Sequence, residues 1–337
     1  MSSVASARTV PLWIDQLDPI EHRAPLDGDA SVDVAIEGGG FSGLWTAYYL
    51  SELDPTLRVA VIEKHYCGFG ASGRNGGWAV GELAGSFAQY ARRSDADGAR
   101  RLARAAFAAV DEIGRVAATE GIDCDYAKGG TIRVARNRPQ ADRQREEMAE
   151  VRGQGFTEDE VRLLDASEAR SYFNATEVRS GIFFAATAAL HPAKLVRGLA
   201  EVVEARGVTV WEQTAVTAVE GSQVRTERGT VRASLVVQAT EAYTRDLAGR
   251  RRDLLPVYSL MVATEPLPRD VLDEIGLAER PTFADDRHMV IYGQRTADDR
   301  LAFGGRGVPY LWGSRIARSA ELHQPSHELL RQTLVEL

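Results

Sequence analysis

"VDVAIEGGGFSG", residues 32–43, runs from an apolar strand into a glycine-rich turn, and its reading decides the fold. Val32 to Ile36 predicts a strand, and Phe41 to Leu53 predicts a helix with "LWTAYYL" on its buried side, stopped by Pro55. Arg58 to Glu63 is a second apolar strand, which completes a βαβ unit. Gly38, Gly40 and Gly43 fit GxGxxG at the strand-to-helix junction. The first glycine permits the tight turn, the second lets backbone approach a pyrophosphate, and the third lets helix and strand pack closely. The helix start adds N–H donors and a partial positive charge. Glu63, 20 residues beyond Gly43, stands where an acid accepts hydrogen bonds from a ribose. Glu37 is the discordant residue, because a carboxylate repels the anion this turn is built to hold. At ~6 Å and an effective dielectric of ~20 that repulsion is roughly 2 to 3 kcal/mol. Protonation of Glu37, or a turn of its side chain toward Arg74, removes it.

Outward from this unit the chain stays α/β, giving an FAD-binding, Rossmann-like (GxGxxG) domain with an antiparallel-sheet substrate domain as the expected fold class. Residues 1–30, with Pro11, Pro19 and Pro25, read as an arm over the surface. Residues 96–121 read as an alanine-rich amphipathic helix, 129–136 as a strand and 139–152 as a polar helix. "HPAKLVRGLAEVVEARG" predicts a helix with Pro192 near its start and Gly207 at its end. Short strands follow as "VTVWE", "AVTAVE", "QVRTE", "GTVRA" and "SLVVQAT", with 216–232 as a small meander before the return to the main sheet. From Tyr258 onward "YSLMVATEPLP", "HMVIYGQRT" and "RLAFGGRG" read as antiparallel strands of a second layer, and the chain ends in an amphipathic helix. The expected division is an arm over 1–30, dinucleotide-binding parts at 31–90 and 191–256, and substrate parts at 91–190 and 257–337.

Composition narrows the function. The chain has 337 residues, 44% of them hydrophobic, enough for a substantial core. Its net charge of -8 is spread along the length, which excludes a basic face for nucleic acid. No leader pattern opens the chain and no segment approaches ~18 uninterrupted apolar residues, so a cytoplasmic protein without membrane contact is expected. Cys67 and Cys124 are too far apart for a redox pair and read as reduced thiols. The six histidines show no HExxH spacing, and no metal is expected.

"CGFGASGRNGGW", residues 67–78, follows Glu63 closely and holds five glycines with Ser72, Arg74 and Asn75. Irregular backbone of this kind can direct N–H groups and an arginine at phosphate or an electron-rich ring. There is one dinucleotide fingerprint, since "FGGRG" at 303–307 lacks the spacing. A simple NAD-dependent dehydrogenase leaves the small strands and the second layer unexplained, which favours FAD.

"DVAIEGGGFSGLWTAYYL", "VIEKHYCGFGASGRNGGW", "ALHPAKLVRGLA" and "LVVQATEAYT", in this order, resemble the FAD-dependent D-amino acid oxidase-like (DAO) family, and within it the gamma-glutamylputrescine oxidase branch. The resemblance implies that Gly38, Gly40 and Gly43, with Phe41 and Ser42 at the helix start, hold the FAD pyrophosphate. It implies that Glu63, followed by Lys64, meets the adenosine ribose. Ala71, Ser72, Arg74, Asn75, Gly76 and Gly77 would line the pyrophosphate and flavin, Val216 the adenine, and Ala239 and Thr240 the returning strand beside the cofactor. His191 belongs to a recurring "HP" element, with a helix cap as the alternative to a substrate contact.

The implied reaction is oxidation of a C–N bond in an amine or amino acid: hydride leaves to flavin N5, the imine hydrolyses, and oxygen or another acceptor reoxidises the flavin. No catalytic residue is assigned. Tyr258, His288, Tyr292 and Arg306 lie on the expected substrate layer, and an arginine there could pair with a carboxylate. Three departures from the family pattern stand out. Glu37 replaces an aliphatic residue, Glu241 follows "AT" where many members have glycine, and family members usually continue about 100 residues further. The alternative expectation is therefore a truncated, inactive chain that binds FAD as a module or fails to keep it.

Overall fold

The computed structural model describes residues 10–337; of the expected arm, residues 1–9 lie outside it. The GxGxxG segment anchors a six-stranded sheet. Its members are β1 (Ala30–Glu37), β2 (Val59–Ile62), β8 (Thr209–Trp211), β9 (Val216–Glu220), β10 (Gln223–Thr226) and β11 (Thr230–Gln238), in the order β8-β2-β1-β11-β10-β9. β8, β2, β1 and β11 are parallel, with Ile36 beside Val61 and Val237. Near-continuous apolar runs such as Val34, Ala35 and Ile36 suit strands buried on both faces. One face packs on α2 (Phe41–Leu53) and α7 (Pro192–Ala205), where Ile36, Leu44, Tyr48, Leu195 and Leu199 meet. The other face carries a smaller cluster with Ala35, Ile62, Val224 and Val231.

The segments "GTVRA" and "SLVVQAT" form one strand, β11, rather than two. Its first half pairs with β10 and its whole length with β1, so the meander is an antiparallel extension of the main sheet and not a separate insert. The small, polar step Ala233–Ser234 interrupts the apolar run without interrupting the hydrogen bonding.

A seven-stranded sheet forms the second layer. It contains β4 (Thr131–Ala135), β5 (Val161–Asp165), β6 (Ser180–Phe184), β12 (Leu260–Ala263), β13 (Thr282–Asp285), β14 (Ile291–Arg295) and β15 (Leu301–Gly305), in the order β12-β15-β14-β13-β4-β6-β5. Its pairs are antiparallel except β13 with β4, which run parallel across some 150 residues of sequence. Ile132, Phe283, Ile291 and Phe303 form one apolar face with residues of α6 (Ala166–Tyr172), α8 (Arg269–Ile275) and α10 (Gln324–Glu336). The opposite face presents Thr131, Arg133, Tyr292 and Gln294, as strand alternation requires.

A two-stranded antiparallel ribbon, β3 (Trp78–Val80) with β7 (Thr187–Ala189), follows directly on the second glycine-rich loop. Helices α3 (Phe87–Arg93), α4 (Ala96–Thr119) and α5 (Arg138–Gly153) follow, and α9 (Arg318–Glu321) precedes α10. The described part of the arm is more than a surface strap. It forms α1 (Leu12–Asp15) and buries Trp13 and Leu26. Among the described residues no helix is long and apolar enough to cross a membrane.

Candidate functional site

The turn after β1 is sterically closed to anything but glycine. Gly38 has φ +109, and a Cβ there would lie 2.5 Å from the Ala239 carbonyl oxygen. A Cβ at Gly43 would lie 2.0 Å from the Gly38 carbonyl oxygen, and one at Gly40 2.9 Å from Ser72 Oγ. The N–H of Phe41 donates to Ser72 Oγ at 2.9 Å. The N–H groups of Gly40, Ser42 and Gly43 donate to no protein acceptor among the described residues, which leaves the start of α2 open to an anion. Sequence reasoning passed over Gly39, whose Cβ would meet Cys67 Sγ at 2.7 Å.

Glu63 stands beside this turn. Its carboxylate accepts the Gly39 N–H and the His65 N–H, each at 2.8 Å. Burial raises its pKa and the two backbone donors work against that rise. Two of roughly four lone-pair positions are thus in use, and the rest can serve ribose hydroxyls. Lys64 is exposed. Thr214 N–H donates to the Glu63 carbonyl at 2.9 Å, which brings half-buried Val216, two residues on, to this end of the sheet.

The second glycine loop is folded by its own side chains. Ala71 to Gly73 make a single 3₁₀ turn. Asn75 Nδ2 donates to the Ala71 and Ser72 carbonyls at 3.2 and 2.9 Å, and its Oδ1 accepts the Gly77 N–H at 2.8 Å. A Cβ at Gly76 would lie 2.7 Å from the Tyr292 ring. Gln294, fully buried, donates through Nε2 to the carbonyls of Gly76, Gly77 and Leu190 at 2.7, 3.0 and 3.3 Å. This one amide ties the second sheet to the loop.

Glu37 closes β1 with its side chain buried, 5% exposed, and its Oε2 has no partner among the described residues. Burial pushes its pKa up to about 7. Of the two escapes from repulsion, only protonation is left open. Arg74 does not turn to Glu37; it pairs with Glu321 at 3.2 Å and lies 4.6 Å over the Phe69 ring. Ala239 N–H donates to the Glu37 carbonyl at 2.8 Å, so Ala239 and Thr240 border the turn. Glu241 follows at φ +44, the left-handed region that favours glycine.

Glu212 is a residue that sequence reasoning missed. It is fully buried and accepts the N–H groups of Cys67 and Arg23 at 2.8 and 3.0 Å, with Arg23 and Arg197 guanidinium nitrogens each at 3.1 Å. Burial alone would raise its pKa, but these donors lower it overall. Cys67 itself is 0% exposed, its thiol pushed up by burial, so it is a packed thiol behind Gly39.

The structure separates the four residues of the second layer. Tyr292 packs on Gly76, with its hydroxyl 2.9 Å from Ser259 Oγ. Tyr258 accepts the Ala317 N–H at 2.8 Å and braces a loop. His288 and Arg306 are exposed outside the strands. His191 caps α7, its Nδ1 accepting the Lys194 N–H at 3.1 Å.

Comparison with known proteins agrees with this geometry. The chain is 31% identical to the gamma-glutamylputrescine oxidoreductase of Escherichia coli (strain K12) over 85% of its own length and 66% of the relative's. It is 30% identical to the probable oxidoreductase OrdL of Haemophilus influenzae over 83% of its length and 66% of the relative's. It thus spans just under two thirds of the length of these relatives. Among solved structures, glycine oxidase from Geobacillus kaustophilus superposes with a TM-score of 0.71 at 22% identity, over 91% of this chain and 78% of that one. The model of the FAD dependent oxidoreductase family, DAO, matches residues 33–337. On that match the chain belongs to the FAD dependent oxidoreductase family, whose cofactor is FAD.

Proposed function

We propose that the chain binds FAD in the glycine cradle and oxidises a C–N bond in an amine that carries a hydrocarbon chain. The observation that carries the reading is the cradle itself, where Gly38 and Gly43 exclude any Cβ and three N–H groups at the start of α2 are free. Gly40, Phe41, Ser42 and Gly43 would hold the pyrophosphate, and Glu63 the ribose. Lys64 would lie at the rim and Val216 near the adenine. Ala71 to Gly77, with Ser72, Arg74, Asn75 and Gly76, would line the remainder, and Ala239 and Thr240 the opposite wall. Bound flavin supplies a two-electron acceptor for hydride from the carbon beside nitrogen.

The chain's own part is to place the amine and exclude water. A cleft of about 240 Å³ opens between α3, α4 and the strands β4 to β6, walled by Phe87, Phe107, Phe156 and Phe184. Glu82, Glu147, Glu150 and Arg133 enter it. Arg133 is neutralised by Glu147 and by Asp286 at 3.0 Å, whereas Glu82 and Glu150 have no ion-pair partner among the described residues. Phenyl walls with surplus carboxylates suit methylenes and a distal positive charge. The sheet register sets Arg133 in the row of Tyr292 two strands away, about 10 Å. The relative named for gamma-glutamylputrescine supports an amine of this extended kind.

The test is the visible spectrum of the purified chain after FAD is added and excess removed, then anaerobic titration with monoamines and α,ω-diamine derivatives. Retained flavin that bleaches first with the long, doubly functional amines is expected. Retained flavin that no amine bleaches leaves a binding module and rejects the oxidase reading; loss of all flavin rejects both.

A further inference from the structure

A second cavity, of about 380 Å³, lies between α1, the turn at Asp125, the start of α7 and the turn after β14. Lys194, Arg280, His191, Asp125, Asp298 and Trp13 are among its lining residues. Its contents include hydrogen-bond donors without acceptors, beside one buried acceptor, Gln294 Oε1, that has no donor among the described residues. His191 is 4% exposed; because Nδ1 accepts the Lys194 N–H, the neutral ring carries its proton on Nε2, and that atom has no partner among the described residues. Burial holds its pKa down at about 4, so the ring is neutral and the N–H is present at pH 7. Arg280 spends Nη1 on the Asp125 carbonyl at 2.7 Å and Nε on the Arg295 carbonyl at 3.1 Å, leaving Nη2 without a partner among the described residues. Lys194 gives one of its three donors to Asp125 at 3.0 Å. The 14-residue helix α7 points its positive end to the same place.

The acids of the cavity are already occupied. Asp125 has Lys194, and Asp298 takes Thr296 Oγ1 at 2.6 Å, Arg300 Nε at 2.7 Å and Gln16 Nε2 at 2.8 Å. With Asp125 paired to Lys194 and Asp298 to Arg300, Arg280 is the one lining cation without an ion-pair partner among the described residues, which suits one added negative charge better than two. The remaining Nη2 of Arg280 can give a charge-assisted hydrogen bond to one carboxylate oxygen, leaving the other for Lys194 or His191. We propose that this cavity binds the carboxylate of a small monocarboxylate through Arg280, Lys194 and His191, at a site separate from the amine cleft. Its occupant sits against the groups that hold the second glycine loop, because Trp13 Nε1 donates to the Asn75 carbonyl at 2.7 Å and Gln294 lines the same wall.

That indole provides the readout. In ¹H–¹⁵N spectra of the labelled full chain, with the Trp13 signal assigned by Trp13→Phe, sodium acetate is titrated at constant ionic strength against phosphate and chloride. A saturable shift of the Trp13 indole with acetate is expected, at lower concentration than with phosphate. Arg280→Gln should weaken acetate binding about ten-fold. His191→Asn should do the same, and because asparagine also caps helices it keeps the fold if Arg280→Gln does not. No saturable acetate shift overturns the proposal. So does acetate affinity unchanged in His191→Asn with the other indole signals in place, and so does phosphate binding more tightly than acetate.

Discussion

Two glutamates stand at the ends of strands of one sheet, with a single strand between them, and meet opposite fates. Glu37 closes β1 and Glu212 follows β8; they are 5% and 0% exposed. Burial presses both toward the neutral acid. Glu212 resists because two backbone N–H groups and two guanidinium groups converge on it, and its pKa falls. Glu37 has an oxygen without a partner among the described residues, and its pKa rises to about 7. The difference teaches that depth does not decide ionisation; the supply of donors does. One carboxylate fastens the arm, the second glycine loop and α7 together, while the other is tolerated at the mouth of an anion site.

The contrast breaks most visibly at Glu212. Glu212→Ala strands Arg23 and Arg197 beside a hole and should cost about 3 to 5 kcal/mol, read from urea unfolding midpoints. A loss below ~1 kcal/mol would show that the four donors are satisfied without it. Because its folded pKa is depressed, the stability Glu212 contributes is present above the ordinary carboxylate range and disappears as pH falls through the folded value.

Glu37→Val sharpens the other half, with the opposite sign. Between its ordinary value of 4.5 and about 7 the folded chain holds a proton the unfolded chain has lost, so stability declines as pH rises through that window. The variant should therefore gain about 3 kcal/mol at pH 8 and under ~1 kcal/mol at pH 5. Equal gains at both pH values would assign the effect to packing. In flavin fluorescence titrations at pH 8 the same variant should bind FAD roughly 30- to 150-fold more tightly, an advantage that shrinks at pH 5; unchanged affinity would remove Glu37 from the phosphate field. The smallest effect belongs to a third acid at this mouth. Glu241→Gly relieves φ +44 and should add about 1 kcal/mol to thermal stability.

Local chemistry was legible in the sequence. Helix α2 occupies Phe41–Leu53, an apolar run stopped before Pro55, and the glycines of 38–43 are explained by contacts within the turn or with Ala239, Cys67 and Ser72. The antiparallel strands after Tyr258 were equally plain from their alternation. What escaped depends on partners remote in sequence. Glu212 in "VWEQT" looks like a strand-end acid until Arg23, 189 residues earlier, is folded against it. Gln294 in "IYGQRT" looks like an outward polar residue until Gly76, 218 residues away, supplies its acceptor. The parallel pair β13 with β4 leaves no local mark at all. Of the site, the cradle could be read, whereas the groups that hold it from behind could not.

Cys67 gives that rear wall a chemical clock. Its sulfur is wholly covered, between Gly39 and the Glu212 ion cluster, so an alkylating reagent can reach it only during the moments when the loop lifts away. Cys124, equally covered, sits in a different neighbourhood where its carbonyl accepts the His191 N–H. Two thiols with separate shelters turn the time course of labelling into two independent opening rates within a single molecule, one for the nucleotide loop and one for the wall at the start of α7.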